Sequence, residues 1–165
     1  MQSNGRKWLM PATIAVVAAV GLALVGMDMM LSAPPVDRVA IETLPENTPV
    51  LVAKIVGHGL DTVCVLPPEE KRVPADAVDA AAINDFLTTR TYGGDETHWA
   101  LVTRDGDRFT LTRFERTGGL DLAWGADAGE IETGGLRLVP CAPGANAALV
   151  KLGETRARIV FGALK

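Results

Sequence analysis

Apolar residues follow two rhythms along this chain, and the change of rhythm divides it. From Trp8 to Met27 the sequence reads W-L-M-P-A-T-I-A-V-V-A-A-V-G-L-A-L-V-G-M without a charged residue. Twenty helical residues rise roughly 30 Å, the thickness of a bilayer's hydrocarbon core. No other window stays apolar for that length. From Val50 onward the apolar runs are short, often alternate with polar residues, and are separated by glycine, proline and acidic turns.

The second rhythm predicts a β-rich domain over 50–165. Val50 to Val56 (V-L-V-A-K-I-V) is dense in branched residues and predicts a central strand. Thr62 to Leu66 predicts a second, ended by Pro67-Pro68. One helix is expected from Ala75 to Thr89, with Val78, Ala82, Ile83, Phe86 and Leu87 on one face and Asp76, Asp79 and Asp85 turned outward. Thr97–Arg104 and Asp107–Glu115 flank Asp105-Gly106, a hairpin dipeptide, which would oppose Val102 to Phe109 and Ala100 to Leu111. Leu120–Trp124 alternates, Leu136–Val139 precedes Cys141, and Ala147–Leu152 with Thr155–Phe161 forms a last hairpin. Runs of strands around one helix predict an α+β domain, mostly antiparallel β with one packed helix. Ser32 to Pro49, with four prolines, is expected to be an extended linker that lifts this domain off the membrane.

The apolar run is expected to be a retained transmembrane helix over 8–31. It exceeds the h-region of a signal peptide, and Leu31-Ser32-Ala33 is a poor cleavage site ahead of Pro34-Pro35. Arg6 and Lys7 precede it and Asp28 and Asp37 follow it. The positive-inside bias therefore puts a tail of residues 1–7 in the cytoplasm and the domain on the periplasmic side of a bacterial inner membrane. Ala12, Ala15, Ala19, Ala23 and Gly26 recur every three or four residues. That stripe is either a face for packing against a partner helix or a product of an alanine-rich composition. Asp28 either reaches the outer headgroups or meets a partner's cation.

Charge narrows the partners. The chain holds 16 basic and 20 acidic residues, and the part beyond residue 31 is more acidic still. A chain so short of clustered cations is expected to bind no nucleic acid. Its two cysteines, Cys64 and Cys141, both follow the apolar run. In an oxidising compartment they are expected to pair.

Little in the inventory carries chemistry. Nucleophile elbow, phosphate loop, dinucleotide fingerprint and metal-ligand spacings are all missing, so no cofactor or metal is expected. The only serines are Ser3 and Ser32, ahead of the domain. Asp95, Glu96 and His98 are the best polar cluster, able in principle to hold a hard cation or orient an imidazole. His58, between two glycines, reads as a surface histidine. Trp99 and Leu101 either pack in the core against Phe86 or Leu87, or form a partner-binding patch if the helix leaves their face open.

The sum of these features predicts a non-enzymatic accessory or scaffold subunit of a multi-protein membrane complex, in contact with the lipid bilayer and other subunits. An anchored module that binds a small ligand near Asp95, Glu96 and His98, or an envelope assembly factor, is the alternative.

Overall fold

The computed structural model describes residues 35–116, 120–124, 135–153 and 157–165. The apolar stretch 8–31, with its alanine stripe and Asp28, lies outside the described residues. Among the described residues no helix is long and apolar enough to cross a membrane. The domain is α+β with mostly antiparallel strands: α1 (Arg38–Glu42), β1 (Val50–Leu51), α2 (Val52–Val56), β2 (Thr62–Leu66), α3 (Ala80–Thr89), β3 (His98–Asp105), β4 (Arg108–Glu115), β5 (Leu120–Leu122), β6 (Leu136–Arg137), β7 (Cys141–Pro143), β8 (Ala147–Leu152) and β9 (Ala157–Leu164).

These strands form two sheets. One has the order β4-β3-β2-β7, all antiparallel. The other runs β1-β8-β9, with β5 parallel to the start of β9 and β6 antiparallel to its end. Period-two alternation sends Val63, Val65, Trp99, Leu101 and Phe114 inward from the first sheet. They meet Leu120, Leu149, Ile159 and Phe161 from the second in one core. Trp99 stacks on Phe114 at 4.4 Å, and its Nε1 donates to the Leu120 carbonyl at 3.2 Å, joining the sheets by a hydrogen bond through the core.

The outer face of the first sheet is covered as well. Ala100, Val102 and Leu66 pack with Ala80, Ile83 and Leu87 of α3. β2 is therefore buried along its whole length, which is why its sequence reads T-V-C-V-L with no polar alternation. α3 is attached at its start by Asp79, which receives a hydrogen bond from Thr62 and an ion pair from Arg104. Asp79 sits in the left-handed region at φ 55°, so its carboxylate faces the sheet instead of capping the helix.

Several elements differ from the sequence reading. The segment 32–49, read as a spacer, enters the core at Val36: Val36, Ile41 and Leu44 are all buried. α1 fits in the proline-free interval between Pro35 and Pro45, and Asp37 caps it by accepting from the Val39 amide at 3.0 Å. Each such side chain removed from water contributes about 1.5–3 kcal/mol, which outweighs the extended preference of the flanking prolines. The segment also laces the two sheets, because the Val36 amide donates to Thr112 of β4 at 3.1 Å and Lys151 Nζ of β8 donates to the Glu42 carbonyl at 2.7 Å.

The expected strand Val50–Val56 is two residues of strand followed by one turn of helix. Val52, Ile55 and Val56 lie at i, i+3 and i+4, so a helix turns all three into the core and leaves Lys54 exposed. Gly57, at φ 78°, closes it through its amide to the Ala53 carbonyl. α3 starts at Ala80 and not at Ala75, and Val78 points outward, 42% exposed. In the β3–β4 hairpin the turn is Gly106-Asp107, so Val102 faces Leu111 and Ala100 faces Arg113. The register is two residues from that expected, and an even slip leaves every side chain on its intended face.

Candidate functional site

The polar cluster named from sequence begins at the loop before β3. Asp95 follows Gly94, where a Cβ would lie 2.5 Å from the Glu70 carbonyl oxygen, so only glycine lets the two loops meet. The Glu69 amide closes that contact by donating to the Asp95 carbonyl at 3.1 Å. The Asp95 carboxylate then turns back on its own loop. It accepts from the Thr97 amide at 2.9 Å, from Thr97 Oγ1 at 2.8 Å, and from His98 Nδ1 at 2.9 Å, and it pairs with Arg113 of β4. The hydrogen bonds from His98 and Thr97 hold its carboxyl well below the usual carboxylate range.

This arrangement is an Asx-type turn that starts a strand. The carboxylate is thus engaged by donors from its own loop and by Arg113. Glu96 is not part of it: its side chain is exposed, and its carbonyl receives Arg116 Nη1 at 3.0 Å. Among the described residues no group of three or more His, Cys, Asp or Glu side chains could hold a metal ion. His58 is half-buried, with Nδ1 3.2 Å from the Val56 carbonyl.

Cys64 and Cys141 form the disulfide expected from sequence. They face each other in register across β2 and β7 with Cα atoms 4.0 Å apart, and both are buried under α3 in the outer cluster. The bridge fixes the three-residue edge strand β7 to the centre of its sheet. Trp99 and Leu101, one of whose two readings was a surface patch, are both fully buried. The second sheet covers the face that the hairpin pattern left open, which removes them as contacts for a partner. The packing is on the side away from Phe86 and Leu87.

One feature was not legible in sequence. A shallow groove of about 210 Å³ opens beside Trp124, walled by Pro67, Pro74 and Pro140 with Glu70 and Arg72 at its rim. Trp124 keeps the alternation of Leu120 and Leu122 but lies past the end of β5, so it packs only partly against the core and leaves one side facing the groove. Three segments distant in sequence build the walls, and none of them carries a motif.

No family model matches this chain, and no curated protein or solved structure was found to be similar to it.

Proposed function

We propose that the chain is a bitopic inner-membrane accessory or scaffold subunit of a multi-protein complex, not an enzyme. In this reading residues 8–31 cross the bilayer, residues 1–7 stay in the cytoplasm, and the disulfide-bonded domain meets partner subunits in the periplasm. The charge-free run Trp8–Met27 behind Arg6 and Lys7 carries the proposal. The disulfide supports it, because such bonds persist in oxidising compartments. The internally satisfied Asp95 cluster supports a scaffolding role over a catalytic one. Gentle solubilisation and native electrophoresis test it: the chain should migrate within a large assembly. A lone 17.4 kDa species at every detergent level would overturn it.

The groove beside Trp124 favours a second reading, an anchored module for a small ligand. Its volume lies below the usual range for ligand pockets, which keeps this reading second. Under it, Trp124→Ala would abolish ligand-induced thermal shifts; shifts equal to those of the unaltered chain would remove it.

A further inference from the structure

Strand β4 ends its sheet with a row of backbone groups turned outward. The Arg116 amide donates to the Thr97 carbonyl at 2.9 Å, which fixes the phase of the β3–β4 ladder. Counting back in twos, Phe114, Thr112, Thr110 and Arg108 turn their backbone N–H and C=O groups toward β3. Phe109, Leu111 and Arg113 turn theirs away, and among the described residues no strand pairs with β4 on that side. Val36 comes close to β4, but its amide takes the Thr112 hydroxyl and not the backbone.

Sheets usually blunt such an edge by shortness, proline or a bulge. The other terminal strands follow that rule: β1, β5, β6 and β7 are two or three residues long, and β7 ends in Pro143. Strand β4 runs for eight residues in unbroken register without a proline. Its outward-turned residues also carry apolar surface. Phe109 stacks on Phe86 of α3 at 5.1 Å, and both it and Leu111 stay only half-buried.

Backbone groups in a row accept an added strand, and charge selects which one. Strand β4 can lie antiparallel against a second copy of itself. With the two-fold axis at Leu111, Asp107 of one copy opposes Glu115 of the other. With the axis at Thr112, Arg108 opposes Arg116. With the axis at Thr110, Asp107 opposes Arg113 and Phe109 opposes Leu111, and the symmetry repeats both pairs. Asp107 is exposed on the turn, and Arg113 has N–H donors beyond the Nη2 that it gives to Asp95.

We propose that the chain forms a two-fold homodimer through β4, with the axis at Thr110. The two β4-β3-β2-β7 sheets then become one continuous sheet, and each Phe109–Leu111 pair exchanges backbone hydrogen bonds across the junction. This goes beyond the accessory-subunit reading, because it holds whether or not residues 8–31 cross a bilayer.

The full chain in detergent, followed over a dilution series by sedimentation and amide exchange, provides the test. Concentrated protein should carry twice the 17.4 kDa mass of the chain and separate on dilution. Amides of Phe109 and Leu111 should exchange several-fold more slowly in the dimer than in the monomer. Those of Thr110 and Thr112, bonded to β3, should stay protected at every concentration. Asp107→Lys alters an exposed turn residue and should move dimerisation to a several-fold higher concentration. A monomer throughout would overturn the proposal. So would a dimer whose Phe109 and Leu111 amides exchange as fast as the monomer's, the result expected if the apolar run alone associates. Protection of both amides in the monomer itself would show that the edge is already covered and would equally refute it. An unchanged midpoint for Asp107→Lys would rule out the register.

Discussion

Breaking the Cys64–Cys141 bridge is the perturbation whose size follows most directly from the structure. The two residues are 77 positions apart. Cross-linking over such a loop removes denatured-state entropy worth about 4.5 kcal/mol at 25 °C in the chain-entropy description. The bond joins residues already paired in register on neighbouring strands, so the native fold needs no rearrangement to lose it. Almost the whole effect should then appear in the unfolded chain. Guanidinium unfolding of the domain, at equilibrium with and without reductant, measures this directly, since unfolding gives the reductant access to buried sulfur. The midpoint should fall by about 1 M in reductant, with a steeper slope because the open chain exposes more surface. The paired variant Cys64→Ala/Cys141→Ala should melt roughly 15 °C lower and be insensitive to reductant. Midpoints that coincide with and without reductant would refute the reasoning, because they would mean that the bridge does not restrict the denatured chain.

Further outcomes follow from particular side chains. Trp99→Ala removes a fully buried ring stacked on Phe114 and orphans the Leu120 carbonyl, so urea unfolding should show a loss of about 3–5 kcal/mol. Gly144→Ala would drive a Cβ into the backbone of Leu60 and should cost about 2–3 kcal/mol, whereas Gly59→Ala, with open space around it, should be near neutral by the same assay. Asp95→Asn should lower the melting temperature at neutral pH. The folded carboxyl is held below its ordinary value of 3.8, so the stability it contributes is present above that pH and fades as pH falls further. A melting difference that stays constant from neutral to strongly acid pH would contradict this.

Some of the site was legible in the residues and some was not, for identifiable reasons. The pairing of Cys64 with Cys141 needed only a count of two and an export argument. The strand at Thr62–Leu66 followed from its run of branched apolar residues, and the division of the hairpin into two faces from local alternation, but which face meets the second sheet did not. Of the cluster named from sequence, Asp95, Glu96 and His98, the structure joins Asp95 to His98 and leaves Glu96 out, with Thr97 in its place; sequence spacing could not show that the carboxylate turns back onto its own loop. The groove at Trp124 draws its walls from three separate segments and leaves no local trace.

Sequence by itself determined what depends on neighbours in the chain: the apolar length of residues 8–27, the acidic balance, the period-two strands and the turns that separate them. Tertiary structure decided what depends on which surfaces meet. Val52–Val56 coils into a helix because that places three apolar side chains in one core, against the strand preference of branched residues. The proline-rich segment becomes part of the fold because Val36, Ile41 and Leu44 find a core between two sheets to fill. Trp99 is interior because a second sheet covers it. Local propensity is worth tenths of a kilocalorie per residue, while burial of one large side chain is worth about 1.5–3 kcal/mol, so wherever the two disagree the core prevails.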